Sequence, residues 1–265
     1  GGRLMRIGII GGTGVYDPEM LSEVREEQVV TPYGTIQVAI GNYADREVVF
    51  LARHGSGHKV PPHKINYRAN IWGLKMLGVT EVISTSAVGS LNQQMPPGEM
   101  VLLDQFIDFT KNRVYTFYDG GPAGVVHVDY TEPYCPRVRQ VLLDVAADQG
   151  LGLMPTGTYV CAEGPRYETP AEIKAVGILG GDLVGMTNVP EVVLAREAGL
   201  CYVSVALVTN WAAGIAKHPL THKEVVEIMA ANNSKLQQLL MGSIKVLTED
   251  PECPCHHATR ELGQF

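Results

Sequence analysis

Polar side chains with phosphate-binding chemistry recur in this chain just after predicted buried strands. Hydroxyl, guanidinium and imidazole groups all occur at such positions, and each can donate to or accept from an anion. Because the carboxyl ends of parallel strands meet at one edge of a sheet, we expect these groups to converge. The polar side chains are Thr13, Arg53, His54, Ser86 and Thr187, and Ala87 is included beside Ser86. An arginine that binds phosphate in a bidentate manner, with the neighbouring imidazole as a further donor, is the expected arrangement.

The glycine-rich turn Gly11–Gly14 follows a predicted strand, so a dinucleotide site is the first alternative to test. A G-x-G-x-x-G pattern beginning at Gly12 needs a glycine at position 17, where Asp17 stands and Pro18 follows. A carboxylate beside a pyrophosphate is unfavourable, so the pattern predicts a site for a single phosphate. No cluster of acidic metal ligands accompanies these segments, which indicates inorganic phosphate bound without magnesium.

A second set of residues could recognise a flat ring. Asn210 ends the apolar run 202–209, and its amide carries both a donor and an acceptor. Tyr167 and Glu168 precede a predicted helix, where the phenol ring could stack on a base and the carboxylate could accept from a ring N–H. The alternatives are an asparagine closing a turn before Gly214 and a glutamate favoured by the helix dipole.

The elements that must position these residues alternate between strands and helices. This order predicts a single α/β domain over residues 1–265, with a central mixed β-sheet covered by helices on both faces. A long functional loop is expected over 111–132, and a capping box at Thr221 begins the last helix. Predicted strands are 5–10, 36–40, 47–51, 81–84, 100–103, 159–161, 183–185 and 202–209, and predicted helices are 69–77, 136–149, 170–179, 190–198 and 221–247.

The composition excludes several functional classes. The 265 residues are 45% hydrophobic and carry a formal charge of −7, which gives no electrostatic basis for binding nucleic acid. No apolar run is long enough to span a membrane, and the first residues lack the form of a signal peptide. We therefore expect a cytoplasmic protein that binds neither membrane nor nucleic acid. Residues 1–4 are interpreted as a possible non-native leader before Met5.

The five cysteines do not form the pattern of a secreted disulfide framework. Cys161 and Cys201 lie in apolar runs and are expected in the core. Cys253 and Cys255, followed by two histidines, suggest a metal site, but no second ligand pair stands elsewhere at zinc-like spacing, so no metal is predicted. A strained or redox-active disulfide and an unstructured tail over 249–265 are the remaining interpretations.

From Ile7 to about Leu247 the chain resembles the trimeric purine nucleoside phosphorylases and their 5′-methylthioadenosine phosphorylase branch, and overall it is most similar to that branch. The resemblance implies the phosphorylase/hydrolase-like fold and phosphorolysis of a purine nucleoside, with phosphate as co-substrate and no cofactor. It also implies a homotrimer, or a hexamer made of two trimers. The segments that carry the resemblance are 10–14, 51–55, 66–72, 104–108, 163–166 and 186–191.

The resemblance also implies roles for individual residues. Thr13, Arg53, His54, Ser86 and Thr187 resemble the phosphate ligands of the family, and Ala87 lies beside them. Met186 resembles the residue beneath the ribose, and Tyr167 the aromatic side chain packed on the base. His127 resembles a residue that a neighbouring subunit lends to the 5′ side of the sugar.

The chain departs from the methylthioadenosine branch at the residues that determine which purine base is bound. That branch has Asp-x-Asp where this sequence has Asn210 and Ala212. Asn210 can accept from N7–H and donate to a 6-carbonyl, and Glu168 can accept from N1–H, which 6-oxopurines carry and adenine lacks. Both residues therefore predict hypoxanthine or guanine as the base.

His222 indicates which group the substrate carries at the 5′ position of its sugar. It stands in the first turn of the last helix, where the dipole favours a neutral imidazole that can bond a 5′-hydroxyl. The sequence thus predicts a phosphorylase of inosine and guanosine that acts in purine salvage, with Asn210, Glu168 and His54 as the catalytic residues. The alternatives are a 5′-methylthioinosine or 5′-methylthioadenosine phosphorylase and a nucleoside-binding protein without activity.

Overall fold

The computed structural model describes residues 2–12, 15, 18–218 and 221–260. Ten strands and five α-helices make up its regular structure. The strands are β1 (Arg6–Gly11), β2 (Ser22–Thr31), β3 (Gly34–Tyr43), β4 (Arg46–Ala52), β5 (Glu81–Ser90), β6 (Met100–Leu102), β7 (Gln105–Phe109), β8 (Thr158–Ala162), β9 (Leu183–Gly185) and β10 (Cys201–Trp211). The helices are α1 (Tyr67–Met76), α2 (Pro136–Gln149), α3 (Pro170–Ile178), α4 (Asn188–Glu197) and α5 (His222–Val246).

All ten strands belong to one mixed sheet, as expected. The path β2-β3-β4-β1-β5-β9-β8-β7 forms its length, and β10 and β6 extend from β5 on a second branch. The centre is parallel, since β1 pairs in parallel with β4 and β5, and β10 in parallel with β5. The outer hairpins β2–β3 and β3–β4 are antiparallel.

The two faces of the sheet bury two hydrophobic clusters, because side chains alternate along each central strand. On β10, Tyr202, Ala206 and Val208 join one cluster, whereas Val203 and Val205 join the other. Helices α1 and α4 cover the first face, and α2 and α5 cover the second. Among the described residues, no helix combines the length and hydrophobicity that crossing a membrane requires.

Local signals in the sequence account for the helix boundaries. Thr169 and Thr221 each cap a helix through a complete capping box, with Glu172 and Glu224 as the partners. Helix α2 begins with a proline and stops at Gly150, whose φ of 65° lies in the left-handed region.

Strands β2 and β7 were missed, and β3 and β5 were predicted too short. The predicted helices and hairpin agree with the structure, and the loop over 111–132 has no regular structure beyond a short 3₁₀ turn. Strands β2 and β7 carry mostly exposed side chains, so they lack the apolar pattern that reveals a strand. Strand β5 continues through Ser90, which places the hydroxyl-rich run inside the strand rather than after its end.

The interpretation of residues 249–265 as an unstructured tail was wrong for the part that the structure describes. Residues Pro254–His257 form a 3₁₀ turn, and Cys253 and Cys255 are buried in the second hydrophobic cluster. All five cysteines are free thiols, so the disulfide interpretation of this pair has no counterpart in the structure. The buried side chains of Cys253 and Cys255 pack this segment against the second face of the sheet.

Gly185 illustrates how tightly the sheet edge is packed. A Cβ at this position would overlap the ring of Tyr159, whose Cε2 lies 2.8 Å away from the added carbon. Tyr159 is fully buried, and its hydroxyl accepts a hydrogen bond from the N–H of Thr187.

We expect Gly185→Ala to lower the free energy of unfolding by about 1–3 kcal/mol, because the buried ring must move. Gly152→Ala is the matched control, since no atom lies within 4 Å of its added Cβ. The measurement is urea denaturation of both variants and the parent. Equal stability of the two variants would contradict the packing argument.

Candidate active site

The described residues form a cavity of about 490 Å³ beside β5, where two neighbouring strands leave a gap. Strand β1 pairs with β5 only as far as Ser84, and β9 takes up the same edge of β5 from Gly89 onward. Between these two pairings, the segment 85–88 has no strand partner on that side. All four of its residues line the cavity. The site therefore arises from a break in strand pairing within the sheet.

The structure brings most of the predicted site residues to this cavity. Its wall includes Arg53, His54, Ser86, Ala87, Tyr167, Glu168, Met186, Thr187 and Asn210. Thr13 lies outside the described residues. His127 and His222 are exposed and do not line the cavity, so their predicted roles at the sugar remain predictions.

Arg53 is held by a buried ion pair rather than left free for a ligand. Its Nε and Nη2 donate to the two carboxylate oxygens of Glu191 at 2.7 and 2.8 Å, and both side chains are only 2% exposed. Burial alone would lower the pKa of Arg53, but the charge of Glu191 outweighs it and raises that pKa above its usual value. The guanidinium is therefore permanently charged.

This pairing corrects the bidentate geometry expected for Arg53. The fork formed by Nε and Nη2 faces Glu191, while Nη1 donates to the carbonyl of Thr85 and Nη2 also to Ser84. Only one of the five guanidinium hydrogens is left for a ligand. Arg53 thus supplies positive charge and a single donor at the cavity wall.

Two hydroxyl groups on β5 complete the polar wall. The Oγ1 of Thr85 and the Oγ of Ser86 are buried and have no hydrogen-bond partner among the described residues. A buried unpaired hydroxyl costs free energy, so both groups are best satisfied by a polar ligand. Thr187, at the start of α4, also lines the cavity, and its side chain makes no capping bond.

His54 has a defined tautomer. Its Nδ1 lies 3.0 Å from the carbonyl oxygen of Val60, which can only accept, so Nδ1 carries the hydrogen. Burial lowers the pKa of His54, and the nearby charge of Arg53 lowers it further. In the neutral ring Nε2 is an acceptor, so it is suited to a ligand hydrogen, and the role of His54 in binding phosphate stays a prediction. His58 stacks on the ring at 4.1 Å between centroids.

A buried arginine that the sequence analysis missed, Arg113, anchors the chain just before Tyr167 and Glu168 of the cavity wall. Arg113 donates to the side chain and the carbonyl of Glu163 at 2.7 Å each, and to the carbonyl of Val189 at 2.8 Å. Burial alone would raise the pKa of Glu163, but hydrogen bonds from the backbone of Asn112 and from Arg113 lower it. These bonds fix the start of the segment that carries Tyr167 and Glu168.

Tyr167 and Glu168 differ in how they face the cavity. The Tyr167 side chain is 82% exposed, which leaves its ring face open for stacking. Glu168 is half-buried, and its Oε2 has no hydrogen-bond partner among the described residues. Burial raises the pKa of this carboxyl. An unpaired acceptor at the wall is suited to a ligand N–H.

The amide of Asn210 has a fixed orientation near the end of β10. Its Nδ2 donates to the carbonyl of Trp211 at 2.9 Å, and its Oδ1 accepts from the hydroxyl of Thr209 at 2.8 Å. Because a carbonyl cannot donate, the nitrogen must face Trp211. One N–H and one oxygen lone pair remain for a ligand. The register with β5 shifts between Val208 and Asn210, so Thr209 has no partner on β5 while Asn210 pairs with Gly89.

Comparison with known proteins gives a consistent family assignment. The model of the phosphorylase superfamily matches residues 6–245. The chain belongs to the phosphorylase superfamily. A 6-oxopurine nucleoside phosphorylase from Pyrococcus furiosus is 54% identical over 260 residues, covering 96% of this chain and 98% of that protein. An S-methyl-5′-thioadenosine phosphorylase from Thermofilum pendens is 48% identical over 259 residues, covering 97% and 98%.

Solved structures support the same fold. A methylthioadenosine phosphorylase from Schistosoma mansoni, in complex with adenine, superposes with a TM-score of 0.88 at 34% identity. The match covers 96% of each chain. Membership of the phosphorylase superfamily identifies the chain as an enzyme with the α/β architecture expected from its sequence.

Sequence analysis missed several residues of this phosphorylase-family cavity. Thr85 lies in the hydroxyl-rich run that was noticed, but it could not be distinguished from Ser86 without the strand register. Helix α5 also reaches the wall, through side chains on its apolar face. The missed wall residues include His58, Thr85, Thr209, Trp211, Met229, Asn233 and Leu236.

We expect Glu191→Gln to lower the free energy of unfolding by about 3–5 kcal/mol, because it leaves the buried charge of Arg53 uncompensated. The control is Glu27→Gln, which removes an exposed pair with Arg25 and should cost less than about 1 kcal/mol. Both values come from denaturant unfolding. Similar small losses in the two variants would show that the buried pair does not govern stability.

Proposed function

We propose that the chain catalyses phosphorolysis of 6-oxopurine nucleosides, with inosine and guanosine as substrates. The observation that carries this proposal is the fixed amide of Asn210, which offers one donor and one acceptor at the cavity wall. A 6-oxopurine protonated at N7 presents the complementary pair, O6 and N7–H. The Pyrococcus furiosus relative is named a 6-oxopurine nucleoside phosphorylase and a Thermococcus kodakarensis relative a probable one, and both names support the same substrate class.

The proposed reaction joins a phosphate oxygen to C1′ as the bond from C1′ to N9 breaks. The electron pair of that bond passes to the purine, so negative charge develops on the leaving base. Hydrogen bonds that strengthen with this charge lower the barrier. Asn210 would donate to O6, and Glu168 would accept from N1–H through its unpaired Oε2. The reaction uses phosphate as second substrate and needs no cofactor.

Phosphate would bind beside the unpaired hydroxyls of Thr85 and Ser86. Arg53 contributes its charge and one N–H, and Thr187 also lines the cavity. The neutral Nε2 of His54 is suited to accept a hydrogen from a protonated phosphate oxygen. Thr13, predicted as another ligand, belongs to the same proposal.

The subunit arrangement is also a proposal. Tyr167 is widely exposed in the single chain, and His127 lies in the loop over 111–132, away from the cavity of its own subunit. Both positions fit a homotrimer or hexamer in which a neighbouring subunit covers the sugar and lends His127 to its 5′ side.

A 5′-methylthioinosine phosphorylase is the second candidate. Apolar side chains of α5, Met229 and Leu236, line the cavity, whereas His222 does not. A relative from Methanothermobacter thermautotrophicus, 47% identical, is named a probable S-methyl-5′-thioinosine phosphorylase. Comparing kcat/KM for inosine and methylthioinosine separates the two candidates.

We expect Asn210→Asp to lower kcat/KM for inosine by about 10–100-fold, because the donor to O6 is lost and two acceptors meet. Activity on adenosine should fall less, so the preference shifts toward 6-aminopurines. The assay follows phosphate-dependent release of base from inosine, guanosine, adenosine and the methylthio nucleosides. An unchanged ratio between inosine and adenosine would refute the role of Asn210. Absence of release from every nucleoside would refute the function itself.

The proposed role of Glu168 predicts that kcat/KM for inosine depends on pH. Its carboxylate is the acceptor, and burial raises its pKa, so kcat/KM for inosine should fall as pH drops through that raised value. Glu168→Gln should lower kcat/KM by about 10-fold at neutral pH and remove this dependence. The ratio of variant to parent at each pH cancels the titration of phosphate. Glu27→Gln, which removes an exposed carboxylate on β2 that does not line the cavity, should keep the parental profile.

A further inference from the structure

Four cysteines from three parts of the chain converge at one buried point. Cys135 precedes α2, Cys201 begins β10, and Cys253 and Cys255 lie in the segment after α5. None is more than 4% exposed. The sequence analysis found no second ligand pair to accompany Cys253 and Cys255, because Cys135 and Cys201 are 66 residues apart and meet only through the fold.

The sulfur positions match a tetrahedral metal site. All four Sγ atoms lie within 4.8 Å of one another, so each is at most about 2.9 Å from a common centre. Zinc binds thiolates at about 2.3 Å, which places neighbouring sulfurs about 3.8 Å apart. The Sγ atoms of Cys135 and Cys253 are 3.8 Å apart. Only small movements of the remaining sulfurs would complete the coordination shell.

A guanidinium and an imidazole lie against the sulfur cluster. The Nη2 of Arg137 lies 3.4 Å from the Sγ of Cys201, and it also pairs with buried Glu81. The Nδ1 of His256 lies 2.8 Å from the carbonyl of Gly199, which requires a hydrogen on Nδ1 and directs Nε2 toward Cys201 at 3.7 Å. Cys135 stands at the amino terminus of α2, where the helix dipole favours negative charge.

We propose that Cys135, Cys201, Cys253 and Cys255 bind one Zn²⁺ ion. As the four Zn–S bonds form, each thiol gives up its proton to solvent, and no oxidation or reduction takes place. The charge of Arg137 offsets part of the negative charge of the tetrathiolate. A group that donates to a metal ligand in this way orients and stabilises it. The spacing Cys-x-Cys is shorter than the usual zinc pair, and the distant Cys135 and Cys201 supply the remaining two ligands.

The proposed site is structural and independent of the proposed catalysis. Cys201 begins β10 and Asn210 lies near its end, so roughly 30 Å of extended strand separates the sulfur cluster from the cavity wall at Asn210. A metal here would join the segment after α5 to the sheet and to α2. Its effect should therefore appear in stability and leave catalysis at moderate temperature unchanged.

The test measures bound metal directly. Protein purified under reducing conditions from zinc-supplemented cells, then dialysed, should carry about one zinc per chain by elemental analysis. The double variant Cys253→Ser/Cys255→Ser should lose this zinc, and its unfolding midpoint should fall by about 5 °C or more. Cys161→Ser is the matched control, because Cys161 is equally buried but lies outside the cluster. It should retain the metal.

Cobalt provides an independent readout. The parent protein refolded with Co²⁺ should show the intense visible absorption of a tetrahedral cobalt thiolate, and the double variant should not. Metal-free protein with all five thiols titratable would overturn the proposal. A mass lower by two hydrogens for each pair of cysteines, showing disulfides in the cluster, would overturn it equally. Zinc retained by the double variant would place the ion elsewhere.

Discussion

The buried pair of Arg53 and Glu191 is the interaction on which the active-site end of the sheet depends. An unpaired charge at this depth would be very costly, so each partner requires the other. The pair joins the residue after β4 to α4, and the Tyr202 hydroxyl donates to Glu191 at 2.7 Å from β10. Ser84 on β5 also bonds Arg53. One ionic contact thus fixes the relative positions of three strands and a helix.

Beside this ion pair, the cavity wall carries polar groups that form no hydrogen bond with the described residues. Thr85, Ser86 and Glu168 each hold a buried oxygen without a partner among the described residues. Unsatisfied groups lower stability, and a native structure tolerates them where a ligand supplies the missing bonds. The ion pair and the hydrogen bonds of Arg113 hold the backbone on both sides, so these groups are in place before a ligand arrives.

Much of the fold could be predicted because its signals are local. The capping box at Thr221, the left-handed stop at Gly150 and the alternation of strands with helices each depend on a few adjacent residues. Strands β2 and β7 gave no such signal, since their side chains are largely exposed. The site residues near strand ends were found for the same local reason, with polar side chains following apolar runs.

Features that depend on register and distant contacts could not be predicted. The gap in pairing along β5 follows from where β1 stops and β9 begins, which no local pattern encodes. Arg53 and Glu191 are 138 residues apart in the sequence. Their ion pair occupies the guanidinium fork that was expected to bind phosphate. The tautomer of His54 likewise depends on the carbonyl of Val60, which only the folded backbone places beside the ring.

Strand β10 runs from the cysteine cluster at its first residue to the cavity wall at its last. Its first residue lies among the cysteines, its middle is fully buried, and Asn210 stands where the pairing with β5 becomes irregular. Thr209 has no partner in the register with β5, and Asn210 and Trp211 beyond it are only partly buried, so their side chains can change with little effect on the core. Residues that line the cavity and residues that hold the segment after α5 can therefore evolve separately along one strand, because its buried middle separates them.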